Sequence, residues 1–131
     1  SVGALRVAEL FLNRAEAYAM LEGQEEKAVE NLRALRSKRY VEGTSLEIVD
    51  SFKGLTGKEL VDFIRQERRR ELCFEGHRWF DLMRTGRTLE VLNEDFKNRG
   101  LAFSVEEYEL LLPIPQGQID IDPDLEQNPG Y

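Results

Sequence analysis

The chain holds one cysteine, one histidine and one tryptophan in 131 residues, and each scarcity removes a class of function. A lone Cys73 can neither close a disulfide within the chain nor supply the paired thiolates of a structural zinc site. Set between Leu72 and Phe74, it reads as a residue among apolar neighbours. With His77 as the only histidine, there is no second imidazole to orient a nucleophile or complete a histidine metal set. Apolar runs extend only a few residues, against the roughly 20 that span a bilayer. Ser1-Val2-Gly3 opens into a helical pattern without the charged and apolar start of a signal peptide, so the chain as given is expected neither to cross a membrane nor to direct its own export. Positive charge is in the minority, with 18 Lys and Arg against 25 Asp and Glu for a net charge of −7. That balance argues against nucleic acid and anionic membrane as partners. Glycine-rich phosphate loops and serine elbows are absent from the sequence.

What is present is enough for one domain over residues 1–131: 41% of residues are hydrophobic and 33% charged, a core and its cover. From Leu5 to Leu21, Leu5, Ala8, Leu12, Ala15 and Ala19 form one helical stripe, widened by Val7, Phe11, Ala17, Tyr18 and Leu21. Gly23 marks the stop, and Ala28, Leu32 and Leu35 recur in a second helix from Glu25. The pair makes a helical hairpin over 4–39 that resembles one tetratricopeptide-type unit, which cannot bury its own face without neighbours. Residues 40–55 read as a loop, with one turn over Leu46 to Val49. Thr56 and Glu59 have capping-box spacing before a third helix that extends toward Phe74. Trp79, Phe80, Leu82 and Met83 form a compact apolar set on a fourth, and Thr88 to Phe96 suggests a fifth. All four prolines lie between Pro113 and Pro129, so the tail is expected to be extended, with one helical turn near Gln116 to Ile119. Its spaced apolar residues Ile114, Ile119, Ile121, Leu125 and Tyr131 suggest an ordered wrap along the helices over 100–131. The fold class is all-α.

The densest chemistry lies in 65–84. Glu67, Glu71 and Glu75 follow at i,i+4 and would stack on one helix face, where they repel unless cations intervene. Arg68, Arg78 and Arg84 are the expected neutralisers, with Leu72, Phe74, Trp79 and Phe80 desolvating part of the set and arginine forks holding the acids ionised. Glu71 and Glu75 as an acid and base pair lack a nucleophile or an orienting partner. A metal site from Glu71, Glu75 and His77 lacks the one-turn spacing of bundle sites. Asp120-Ile121-Asp122-Pro123-Asp124 imitates a calcium loop but has proline among the ligands and no closing glutamate. Arg68-Arg69-Arg70, bracketed by Glu67 and Glu71, is a poor nucleic-acid patch. No catalytic residue, metal ligand or cofactor is expected.

Taken together, Glu67-Arg68, Glu71-Leu72, Phe74-Glu75-Gly76, Arg78, Asp81-Leu82 and Arg84 resemble the signature of the SusD/RagB family of nutrient-binding outer-membrane lipoproteins. Pro113-Ile114-Pro115-Gln116, Ile119, Pro123, Leu125 and Gln127-Asn128-Pro129-Gly130-Tyr131 resemble its closing motif, and Ala15-Glu16-Ala17 its helical-repeat region. Asp122, where the family commonly has Asn, and Cys73 are departures. The resemblance implies the C-terminal portion of a protein several hundred residues long, lipid-anchored at the cell surface through an N-terminal region absent from this chain. It further implies tetratricopeptide-like hairpins, the signature helices over 56–86, and a Glu/Arg set that is structural. The implied role is non-catalytic binding of an oligosaccharide, another glycan or a peptide beside a TonB-dependent, SusC-like outer-membrane transporter in polysaccharide utilisation. Ligand-contacting residues vary in the family and lie largely outside this portion, so the ligand-binding residues are unknown. A free-standing helical-repeat scaffold for protein partners is the alternative reading, and an enzyme using Glu71 and Glu75 a third.

Overall fold

A computed structural model describes residues 6–131, and among them every regular element is a helix. The all-α expectation holds; Leu5, placed at the start of the first apolar stripe, lies outside the described residues. The chain forms two compact units, the first ending at Arg78 and the second running from Trp79 to Tyr131.

In the first unit α1 (Val7–Ala19) packs against α2 (Glu25–Arg36) and also along α4 (Gly57–Glu71), with the single turn α3 (Leu46–Val49) between them in the chain. Ala8, Ala15 and Ala19 on α1 and Ala28 on α2 are buried, and their small side chains let the helix backbones approach. Leu12, Leu32, Phe52, Leu60 and Ile64 fill the space and are wholly inaccessible. Phe52 and Phe63 meet with ring centroids 5.5 Å apart, a tilted contact of the kind aromatic quadrupoles favour. Thr56 stands at the N-cap of α4 but makes no side-chain cap hydrogen bond, contrary to its spacing with Glu59. The helix also stops at Glu71, short of Phe74. There the chain turns through two left-handed residues, Phe74 at φ 65° and Gly76 at φ 81°.

The turn and the helix after it overrule two expectations about packing. Phe74 is fully exposed, and Cys73 beside it is exposed as well. On α5 (His77–Arg84) only Leu82 is buried, while Trp79, Phe80 and Met83 are exposed. At about 100° per residue Leu82, Trp79, Met83 and Phe80 fall within one arc of about 160°, so they do share a face, as their spacing suggests, but within the second unit only its Leu82 edge is covered.

In the second unit two side-chain amides substitute for sheet partners. Asn93 of α6 (Thr88–Asn98) donates to the Val105 carbonyl at 3.1 Å and accepts from its N–H at 2.7 Å. Gln127 does the same for Ile114, accepting at 2.7 Å and donating at 2.9 Å. Phe96 and Phe103 stack at 4.7 Å, and in the 3₁₀ turn Glu107–Leu110 that follows, Tyr108 meets Tyr131 edge-on at 5.7 Å. The helical turn in the tail, α7, spans Gln116–Ile119 as its sequence suggests. Asn128 donates to the Leu112 carbonyl at 2.6 Å and the Tyr131 hydroxyl to that of Leu111 at 3.0 Å, so the last residues close back on the segment before Pro113. Gly130 is required here twice over: its φ is 94°, and a Cβ would overlap the Tyr108 ring.

Gln127→Ala should free both polar groups of Ile114. Amide exchange at Ile114 is expected to rise toward the coil rate, a local loss of about 1–2 kcal/mol, measurable by hydrogen exchange read by NMR.

Candidate functional site

The acidic ladder is resolved mainly by cations from outside α4. Glu67 and Glu71 lie in the last turn of α4, but Glu75 falls beyond its end, so the three do not form one helical row. Arg36 of α2 meets Glu67 Oε2 at 2.6 Å, and Arg70 reaches the same oxygen at 3.2 Å. Arg39, just past α2, grips Glu71 with two hydrogen bonds of 2.8 Å. Arg6 approaches Glu71 Oε1 at 3.2 Å and Glu75 Oε1 at 2.8 Å, and also donates to the Glu71 carbonyl at 2.7 Å. The fork of Arg39 holds the Glu71 carboxyl below the usual glutamate range, its hydrogen bonds and the charges of Arg39 and Arg6 outweighing partial burial.

Of the three arginines expected to neutralise this ladder, none is the one that does so for Glu67 or Glu71. Arg68 turns the other way, to Glu9 of α1 at 3.1 Å and the Asn13 amide oxygen at 2.7 Å. Arg84 binds Asp81 at 2.9 Å within α5, and Arg78 is half-buried one residue into that helix. The Leu72, Phe74, Trp79 and Phe80 set does not supply the desolvation either, since only Leu72 is buried. On the α1 side Arg65 joins Glu16 at 2.9 Å, and His77 Nδ1 stands 3.7 Å from Glu9 Oε1. Glu71 and Glu75 thus share Arg6 while His77 stands beside Glu9, so the three do not meet at one point. Among the described residues no three His, Cys, Asp or Glu side chains converge as a metal would need. The arginine run does not act as a patch: Arg68 is buried, Arg69 and Arg70 are exposed. In the tail, the Asp122 carboxylate accepts from the Asp124 N–H at 3.2 Å, a local turn.

At the centre is Arg36, only 4% exposed. Its Nε donates to the Val49 carbonyl at 2.7 Å and its Nη2 to that of Ile48 at 2.8 Å. These are carbonyls of the last turn of α3, left without helical partners and favouring a cation. Nη2 also reaches the Tyr40 hydroxyl at 2.8 Å and Ser51 Oγ at 3.2 Å. The guanidinium carbon lies 5.1 Å from the Tyr40 ring centroid, 5.3 Å from Phe63 and 5.8 Å from Phe52, distances at which ring quadrupoles attract a cation. Arg33, one turn earlier, holds Asp50 through both carboxylate oxygens at 3.0 Å. One pair of α2 arginines therefore fastens each residue from Ile48 to Ser51. The signal for this was available: Ala28, Leu32 and Arg36 are successive turns of the buried stripe of α2.

Above Arg36 opens a cleft of about 440 Å³, walled by Tyr40, Glu47, Ser51, Glu67 and Arg70 with the side chains of Ile48 and Phe63. Its charges cancel, two arginines against two glutamates. A smaller groove of about 190 Å³ runs between α1 and α2, lined by Val7, Phe11, Ala34 and Leu35 with Lys38 and Arg39. No helix among the described residues is long and apolar enough to cross a membrane.

The model of the SusD family matches residues 2–131. Among curated proteins of Formosa agariphila, SusD-like protein P38 is 33% identical over 127 residues, covering 96% of this chain and 24% of that protein. SusD-like protein P2 is 33% identical over 132 residues, covering 97% and 25%, and SusD-like protein P25 is 29% identical over 131 residues, covering 96% and 24%. The chain spans about a quarter of the length of these relatives. No solved structure gives a significant match.

Two outcomes follow from the arginine clamps. Arg36→Ala should leave Glu67 buried with only the exposed Arg70 and orphan two α3 carbonyls, costing roughly 3–5 kcal/mol in urea unfolding. Because Glu71 titrates lower in the fold than in the unfolded chain, the unfolded state binds more protons between the two values and stability rises with pH there. The Glu71 contribution is fully present above the ordinary glutamate value of roughly 4.3 and lost as acid carries the pH down through the lowered folded value. Arg39→Gln should flatten that part of the stability curve, as urea midpoints across this range will register.

Proposed function

The chain belongs to the SusD family, and we propose that it is a portion, the C-terminal one, of a non-catalytic nutrient-binding protein held at the outer-membrane surface by a lipid anchor outside these residues. In this reading the full-length protein takes up a glycan or peptide and hands it to a TonB-dependent, SusC-like transporter. The match across residues 2–131 is the observation that carries the proposal. The state of the acidic residues supports it from a different direction. An acid and base pair needs one carboxyl poised to gain a proton near working pH, whereas Glu71 is pulled the opposite way by Arg39 and shares Arg6 with Glu75. These groups serve to hold α1, α2 and α4 in register. Residues 1–131 form one domain of that protein in this proposal, with the tail from residue 100 laid along helices.

The α1–α2 groove, apolar with a basic end, favours a second reading, a helical-repeat surface for a protein partner. Co-purification of the full-length protein from outer membranes separates the two. Recovery with a transporter, together with saturable binding of saccharides or peptides, is the expected result; recovery with a protein partner and no nutrient binding would favour the scaffold. Glu71→Gln should change no hydrolytic rate, because no hydrolysis by the parent is expected on a panel of oligosaccharides and peptides followed by chromatography.

A further inference from the structure

The cleft above Arg36 presents a particular set of unused hydrogen-bonding groups. Arg36 Nη2 shares its two N–H groups among the Ile48 carbonyl, the Tyr40 hydroxyl and Ser51 Oγ, so both hydroxyl oxygens act as acceptors toward it and each O–H is left able to donate elsewhere. Among the described residues neither hydroxyl donates to a protein acceptor. Glu67 receives Arg36 and Arg70 on the same oxygen, Oε2. Its Oε1 accepts nothing among the described residues, and no buried side-chain oxygen there lacks a partner, so Oε1 reaches solvent. Glu67 is one of the residues that line the cleft. The floor therefore offers two donors beside one carboxylate acceptor, with Arg70 and Glu47 adding one charge of each sign at the rim.

Charge and pattern together restrict what fits. A phosphate or carboxylate needs donors alone and would face Glu47 and Glu67; an ammonium needs acceptors alone and would face Arg36 and Arg70. A vicinal diol is donor and acceptor at each oxygen and carries no charge, matching the floor. Apolar walls from Ile48 and Phe63 suit the C–H surface of a ring, and about 440 Å³ lies within the roughly 300–1,000 Å³ of small-ligand sites. We propose that the cleft formed by Tyr40, Ser51 and Glu67 over Arg36 is a contact site for the vicinal hydroxyls of a saccharide ring. The inference rests on the nutrient-binding reading and deepens it, within this chain, to a saccharide contact. Because Arg36 fixes both hydroxyls and Glu67 in the absence of ligand, the site is preorganised. Its few contacts set the affinity in the millimolar range.

The test is an NMR titration of the ¹⁵N-labelled 131-residue chain with methyl gluco-, galacto- and mannopyranosides to about 50 mM, a concentration suited to millimolar affinity. Gly-Gly and inorganic phosphate serve as comparison arms. Saturable shifts confined to amides around Tyr40, Ile48 and Ser51, for at least one pyranoside and neither comparison arm, are expected. Ser51→Ala should weaken that binding roughly threefold to tenfold, the loss of one hydrogen bond, and Glu47→Gln, at the exposed rim, is a second variant that should fold as the parent does. Absence of shifts, equal shifts with Gly-Gly or phosphate, or shifts centred elsewhere would overturn the site. The same panel and Ser51→Ala applied to the full-length protein distinguish the two levels of inference. Saccharide binding there that is indifferent to Ser51→Ala removes this cleft and leaves the nutrient-binding function standing. Binding of neither saccharide nor peptide by the full-length protein counts against the function itself.

Discussion

Arg36, with 4% of its surface exposed, cannot leave its guanidinium unpaired, and the first unit is organised around meeting that demand. Arg36 projects from α2 into a region bounded by Phe52, Phe63 and Tyr40, where removing a charge from water costs several kcal/mol. The cost is offset by Glu67, by two α3 carbonyls and by two hydroxyls. Those acceptors come from three stretches of chain, at Tyr40, at 48–51 and at Glu67. The fork therefore ties α2 to α4 and fixes the irregular segment between them, a job that apolar contacts, being non-directional, would do less specifically.

The same principle recurs on the other side of the core. Glu9 and Glu16 of α1, both buried, meet Arg68 and Arg65 of α4, so α4 is bound by charge to both helices of the hairpin, along opposite edges of its apolar stripe. Between these edges lie Leu12, Leu32, Leu60 and Ile64, all inaccessible. Burial supplies the energy and the ion pairs supply the register, since a helix sliding by one turn would retain apolar contact but strand several charges. The cleft is a by-product of this arrangement: the hydroxyls and carboxylate that hold Arg36 from within also have valences pointing outward.

In the second unit the means differ. Proline and the turns around it exclude long helices, and order comes from side chains that complete backbone hydrogen bonds, Asn93 for Val105 and Gln127 for Ile114. Gln127, Asn128 and Gly130 fall in the stretch that resembles a family terminus, and each has a physical task in this structure: an amide for Ile114, an amide for Leu112, and a residue without Cβ beneath Tyr108.

Local periodicity and composition by themselves determined that the chain is helical, where α2, the α3 turn, α5 and α7 lie, and that Glu67 and Glu71 are held by arginine, while the family came from the motifs over 67–84 and 113–131 and their resemblance to known members. Such features repeat within a few residues, so they are written in nearest-neighbour order. Only the tertiary structure decided which arginines do the holding. Arg36 and Arg39 are some 30 positions from Glu67 and Glu71, and no spacing rule relates residues brought together by helix packing. Arg68, adjacent in sequence to Glu67, is carried by the helical turn to a different face and to Glu9. Tertiary structure likewise ended α4 at Glu71 and exposed Phe74, Trp79 and Phe80, because burial depends on what stands opposite a side chain and not on its hydrophobicity. The stripe Ala28, Leu32 and Leu35 was visible in the sequence, and burial extends it one turn beyond Leu32 to Arg36. That its last member is a cation at the centre of the unit follows from the acceptors that three other segments bring to it.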